Sequence, residues 1–393
     1  MNQNRVGELL RDRPVPDQEA AEARAWRLVS AAFEAQERAP ERVRPRRGRL
    51  ALALAAVLLL AAVLALTPAG AKVGDLIGDV VDPGKERAEP ALTRLPTGGR
   101  LLVESARGPW VVHRDGSKRL LGEYEQATWS PQGLFVAVTR PHELVAVDPV
   151  GEVRWSISQR GSIRDPAWAP SGFRVAYRSG DSLRVVAGDG TEDRLVDARV
   201  APTPPIWQPG QRHLLTYVDR DGTVRLVDVD SGRRLWTSGR FASGVKSLDW
   251  SSDGGRLLVL ASSFYSVLDE RGRSIAKGPT RGAAVDATFS PDGPIALIRR
   301  SEAATAAGRS QLVLVNEFGE ERRVFAGPGR FTGLAWSPDG RWLLLAWREA
   351  DQWLFIHPED ERVLAVSNIS RQFDPGGNGN SGFPRVSGWC CQP

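Results

Sequence analysis

The sequence is short of the residues on which small catalytic and metal-binding proteins often rely. Only two cysteines occur in 393 residues, the adjacent pair Cys390 and Cys391. That count excludes a disulfide framework and any cysteine-cluster metal site. Four histidines, His113, His142, His213 and His357, stand far apart and at unrelated positions, so they are expected as surface or internally satisfied residues. No G-x-S-x-G motif is present, which removes the strand-to-helix nucleophile turn of α/β-hydrolases. No residue is assigned to catalysis, to a cofactor or to a metal. Charge of one sign is also scarce, with 52 Lys plus Arg against 47 Asp plus Glu.

The small excess of +5 is unevenly placed. Residues 1–49 hold 11 Arg against 8 acidic residues, leaving 41 basic and 39 acidic groups for the rest. Arg42, Arg44, Arg46, Arg47 and Arg49 form one compact block without an acid. Nucleic-acid binding needs basic residues spread over a folded face, so no nucleic-acid partner is expected. Immediately after the block, Leu50 to Leu66 is built only of Ala, Val and Leu, and Thr67-Pro68-Ala69-Gly70-Ala71 follows. About 20 apolar residues cross a bilayer core, so residues 50–70 are expected to be a single transmembrane helix. The Arg block places the N-terminus in the cytoplasm and the remainder outside. Ala69-Gly70-Ala71 fits a signal-peptide cleavage site, but the 49 residues ahead are too long for a normal leader. An uncleaved signal anchor in the plasma (inner) membrane is the favoured reading, with a cleaved signal as the alternative.

Two short segments flank this span. Asp17 to Glu37 carries no Gly or Pro and places Trp26, Val29 and Phe33 along one stripe, which predicts a helix in the 1–49 arm. It is either a surface helix or, through Trp26 and Phe33, a docking helix for a cytoplasmic partner. Residues 71–97 read as an amphipathic helix with Val73, Leu76, Ile77 and Val80 on one face, followed by a linker broken by Pro83, Gly84, Pro90 and Pro96.

Beyond residue 98 the chain repeats. Trp129-Ser-Pro-Gln-Gly133 is followed by Trp168-Ala-Pro-Ser-Gly172, Trp207-Gln-Pro-Gly210 and Trp250-Ser-Ser-Asp-Gly254. Phe289-Ser-Pro-Asp-Gly293 and Trp336-Ser-Pro-Asp-Gly340 complete six copies. A spacing near 40–45 residues is the period of a β-propeller, with four strands per blade. In each copy the aromatic is expected to end a strand, and Pro, Asp and Gly to make the turn. A fourth strand is expected to end at Trp155 or Trp236. No helical pattern occurs beyond residue 98. Gly99-Arg100-Leu-Leu-Val103 copies Gly255-Arg256-Leu-Leu-Val259 but lacks a tryptophan motif before it, while Val386-Ser-Gly-Trp389 lacks a continuation. Joining the two completes a seventh blade from both ends of residues 98–393, so Trp389 takes the place of the missing motif. Closure leaves no open sheet edge.

These repeats resemble the W-S-P-D-G repeats of TolB-like propellers, within the wider WD40-like group, and the whole is similar to a bacterial membrane-anchored protein of that type. Blade three departs from the pattern. The resemblance implies a binding scaffold without cofactor, meeting an extracytoplasmic protein, peptide or wall ligand. TolB-like propellers also precede the catalytic domains of prolyl oligopeptidase-type peptidases, but no such domain follows here. The layout of arm, span and external β domain is also similar to membrane-bound anti-sigma factors, which makes a transmembrane signalling regulator the alternative. Two local features stay open. Cys390 and Cys391 are either two buried thiols or a vicinal or intermolecular disulfide, and residues 372–383 form a Gly- and Asn-rich loop. Asp219-Arg-Asp-Gly222 is expected to be a hairpin turn rather than a calcium loop.

Overall fold

A computed structural model of the chain describes residues 91–210, 212–301, 308–375 and 382–391. The arm with Trp26 and Phe33, the Arg42–Arg49 block, the Leu50–Leu66 run and the segment 71–90 lie outside the described residues. Among the described residues, no helix is long and apolar enough to cross a membrane.

Within the described residues, twenty-eight strands form seven antiparallel four-stranded sheets. Blade 1 holds β4 (Ala127–Trp129), β5 (Val136–Arg140), β6 (Glu143–Val147) and β7 (Val153–Ser158). Blade 2 follows with β8 (Ile163–Trp168), β9 (Arg174–Ser179), β10 (Ser182–Ala187) and β11 (Arg194–Asp197). Blade 3 holds β12 (Ile206–Trp207), β13 (Leu214–Val218), β14 (Thr223–Asp228) and β15 (Arg233–Arg240). Blade 4 holds β16 (Ser247–Trp250), β17 (Arg256–Leu260), β18 (Phe264–Asp269) and β19 (Ser274–Pro279). Blade 5 runs through β20 (Ala283–Phe289), β21 (Ile295–Ser301), β22 (Arg309–Val315) and β23 (Glu321–Pro328). Blade 6 contains β24 (Phe331–Trp336), β25 (Leu343–Trp347), β26 (Gln352–His357) and β27 (Arg362–Ser367). Blade 7 joins β28 (Arg385–Cys390) to β1 (Arg100–Ser105), β2 (Gly108–Val112) and β3 (Lys118–Leu120).

The seventh blade is therefore made from both ends of the propeller, as the sequence pattern requires. Leu101 pairs with Trp389 and Glu104 with Arg385 across the seam. Glu104 also takes two charge-assisted hydrogen bonds from Arg385, at 2.9 and 2.7 Å, and one from the backbone N–H of Ala127 in blade 1 at 2.8 Å. One carboxylate thus ties the last strand, the first strand and the next blade.

The first strand of each blade touches the first strand of its two neighbours, through β4, β8, β12, β16, β20, β24, β28 and back to β4. This cycle makes them the inner wall of the ring. Trp129, Trp168, Trp207, Trp250, Phe289 and Trp336 each end such a strand, and Trp389 stands next to last in β28. All but Trp336 are at most 9% exposed, so they act as wedges between blades. The strands that follow read as unbroken apolar runs because both of their faces are covered. Leu257 and Val259 pack toward blade 3, whereas Leu258 and Leu260 pack toward blade 5. By area, each such side chain contributes about 1.5–3 kcal/mol.

The motif turns work as their residue types dictate. Ser337 accepts the N–H of Trp342 and donates to Asp339, which accepts the N–H of Arg341. Gly340 supplies the left-handed φ of 71° that closes the turn. Asp219 likewise caps a hairpin, accepting from the N–H groups of Asp221 and Thr223.

Two expectations need correction. A one-turn helix, α1 (Ile369–Phe373), connects blade 6 to the closing strand. It is too short to leave a period in the sequence, yet Ile369 and Phe373 are fully buried, Phe373 against Trp110 and Trp353. Trp155 and Trp236 lie within β7 and β15 rather than at their ends. Each reaches across to the next blade, donating its indole N–H to Gly188 and Glu270 carbonyls respectively, both at 2.8 Å. Their strands run on past the ring because that contact, not the strand end, fixes the tryptophan.

Candidate functional site: the channel mouth and the turn face

Because every motif aromatic ends an inner strand, the six motif turns encircle one mouth of the central channel. A cavity of about 260 Å³ opens there between blades 4, 5, 6 and 7, with Asp249, Phe289, Trp336 and Trp389 in its wall. Asp249 is the carboxylate in its lining. Asp249 accepts the N–H of Phe289 at 2.7 Å and the hydroxyl of Thr288 at 2.8 Å. Asp286 sits one blade on and accepts from the N–H of Leu334 at 3.1 Å and of Ala287 at 2.9 Å. Each therefore satisfies a backbone donor on the exposed inner edge of the following blade. Both are half-buried. Burial pushes each carboxyl up to about 6, and the charge of Asp286 adds to the rise at Asp249.

The histidines fall into different surroundings. His142 lies 3.3 Å from the Gly161 carbonyl, and His357 packs its ring against Trp342. His113 borders a separate cavity, of about 640 Å³, with Arg100, Arg114 and Cys391. His213 does something the sequence spacing did not reveal. Its Nε2 is 2.7 Å from Ser171 Oγ in the blade 2 motif turn, and its Nδ1 pairs with Asp230. That is the connectivity of a serine–histidine–aspartate relay. Asp230 is also held by Arg174 and Arg194, each at 3.2 Å; burial raises its carboxyl, but His213 and Arg174 outweigh it and hold the carboxyl below the usual range. Ser171 also accepts the N–H of Phe173. The cluster thereby knits the turns of blades 2 and 3 together.

Cys390 and Cys391 are paired with each other at the end of the closing strand. Cys391 Sγ lies 3.3 Å from the Pro131 carbonyl in the blade 1 motif turn. The pair thus sits against the seam between blades 7 and 1.

The turn face is not uniform in polarity. The residue after the motif glycine is Leu134 in blade 1 and Phe173 in blade 2, whereas Gly255, Pro294 and Arg341 occupy it in blades 4, 5 and 6. Leu134 is 61% exposed and Phe173 68%. Val150 and Val153 of blade 1 and Leu195 of blade 2 are exposed as well. Exposed apolar side chains, where they form a patch, mark interaction surfaces.

No family model and no curated protein sequence matches the chain. Solved structures do. A β-propeller domain of Myceliophteria thermophila Cps50 (Swd1) is similar with a TM-score of 0.50 at 12% identity, over 62% of this chain and 86% of that one. KlHsv2 with loop 6CD replaced by a Gly-Ser linker is similar with a TM-score of 0.51 at 13% identity, over 69% of this chain and 94% of the other. Likeness at that level of identity is a likeness of fold. The chain carries a seven-bladed β-propeller.

Proposed function

We propose that this chain is a single-pass membrane protein that presents its propeller outside the cytoplasm as a TolB-like, non-enzymatic binding scaffold. The observation that carries the binding role is the exposure of Leu134 and Phe173 at one turn position that holds Gly, Pro and Arg in blades 4, 5 and 6. Two large side chains held out by rigid turns form the preorganised anchor that protein interfaces use. The anchoring rests on the Leu50–Leu66 run and the Arg block before it. The bacterial assignment rests on the sequence resemblance. The relay at Ser171 is read as a structural clasp, because its aspartate is shared with two arginines and its serine with a backbone donor.

The test uses the full chain in its membrane. A photo-crosslinking residue placed at Leu134 or Phe173 is expected to give one discrete protein adduct, and the same residue at Arg341 none. Adducts of equal yield at all three positions overturn the assignment of this face. Protease added to spheroplasts is expected to degrade the propeller and spare the N-terminal arm; the reverse protection overturns the topology.

A further inference from the structure

The seven blade interfaces are not equally filled. Between blades 1 and 2 large side chains occupy the outer half. Trp155 packs on Gly190, Ile157 follows two residues on, and Gln159 reaches Asp193 at 2.7 Å, which in turn holds Arg184 at 2.7 Å. Between blades 3 and 4 the same frame recurs, with Trp236 packed on Gly272. Here, however, Ser238 stands where Ile157 does, and Ser266 takes the position that Arg184 holds relative to its turn glycine. Small residues at facing positions leave a groove of about 570 Å³, within the range of about 300–1,000 Å³ typical of ligand clefts. The opening follows from residue choice, since the frame around it is unchanged.

The groove has a definite chemistry. Phe241 and Phe264 stack at its apolar end, 6.3 Å between centroids. Lys277 lies 4.4 Å over the Phe264 ring and has no ion-pair partner among the described residues. Arg240 is exposed, and among the described residues it has no ion-pair partner and no carboxylate lines the groove. Two cations beside an aromatic platform, with nothing to neutralise them, complement an acidic ligand carrying an apolar side chain. On one side runs β15, a fourth strand that pairs only with β14. Its other edge is free to accept a peptide main chain by strand addition. A lipid headgroup has no use for that edge, so the peptide is the better match.

We propose that the groove between blades 3 and 4 binds an extended acidic peptide, its carboxylates at Arg240 and Lys277 and an apolar side chain over Phe241 and Phe264. This rests on the binding role argued above but uses a different surface from Leu134 and Phe173. The probe is a fluorescein-labelled hexapeptide of alternating Glu and Phe, titrated by fluorescence polarisation into the purified full chain in detergent. Saturable binding that weakens with salt is expected, with Lys277→Glu and Arg240→Glu each weakening it about tenfold. Ser266→Leu, which fills the groove, is expected to abolish it while thermal unfolding stays cooperative. A peptide with Lys in place of Glu is expected not to bind. The proposal is overturned if the wild type shows no saturable binding or if all three variants bind as wild type. It is equally overturned if phosphatidylserine vesicles bind through Arg240 and Lys277 while the peptide does not. Loss of the Leu134 and Phe173 adducts with peptide binding intact would remove the turn-face assignment and leave the groove standing.

Discussion

Trp389 donates its indole N–H to the carbonyl of Gly98, 3.1 Å away in space and 291 residues away in sequence. The same ring packs edge-on against Phe355 of blade 6, at 5.6 Å. One side chain therefore joins the lead into the propeller, its last strand and the neighbouring blade. Truncating a buried Trp to Ala costs about 3–5 kcal/mol, so Trp389→Ala is expected to lower stability by that order in urea unfolding. Deleting residues 385–393 removes β28 altogether and exposes the edge of β1. That deletion is expected to abolish the single cooperative transition; an unchanged transition would show that the seam is dispensable.

Asp249 and Asp286 make stability depend on pH. Each carboxyl is raised to about 6 in the fold against about 3.9 when unfolded. The folded state thus binds protons more tightly, and stability rises as pH falls from about 7 toward 4. Above pH 7 the cost of holding the charged form is fully present. Asp249→Asn keeps an oxygen for both Thr288 and Phe289. It is therefore expected to stabilise at pH 8, by at most about 2–3 kcal/mol, and to match wild type near pH 4. Denaturant titrations at the two pH values decide this, and a variant less stable at pH 8 would contradict it.

Gly272 and Gly232 separate backbone strain from steric contact. Both have a left-handed φ, of 76° and 69°. A Cβ on Gly272 would lie 2.6 Å from the Trp236 ring, whereas one on Gly232 meets nothing within 4 Å. Ala at Gly232 is expected to cost about 1–2 kcal/mol from φ alone, and Ala at Gly272 measurably more. Combining Gly272→Ala with Trp236→Ala should narrow the difference, which a double-mutant cycle in urea measures.

Ser171 has the hydrogen-bond connectivity of a nucleophile without being assigned as one. A fluorophosphonate is expected to leave it unlabelled, as followed by mass spectrometry. His213→Ala is expected to lower the melting temperature, by an amount equivalent to about 1–3 kcal/mol. Stoichiometric labelling at Ser171 that vanishes in His213→Ala would replace the clasp with a catalytic relay.

The repeat made the ring legible before any coordinates. Trp129 to Trp336 mark six inner strands, and the complementary fragments at Gly99 and Trp389 demand the seventh. These features are periodic, and periodicity survives in a linear string. What did not survive is contact between different blades. Ser171, His213 and Asp230 come from three separate turns, and Asp249 acquires its meaning only from a backbone donor in the next blade. The groove at Ser238 and Ser266 is invisible in either repeat alone and emerges when two blades face each other. Helix α1 escaped because one turn carries no period.

The entry of the chain into the ring has a mechanical consequence. Before β1 begins, Leu92 and Leu95 are buried in the cluster that holds Trp389. The backbone N–H of Leu92 is held by Gln372, that of Leu95 by the Arg114 carbonyl, and the Thr97 hydroxyl by Asp339. Tension arriving along the chain from its N-terminal side is thus spread over blades 6 and 7 before it reaches the seam between β1 and β28. A ring closed by its own two ends is loaded where they meet, and the contacts of Leu92, Leu95 and Thr97 act as a strain relief on that joint.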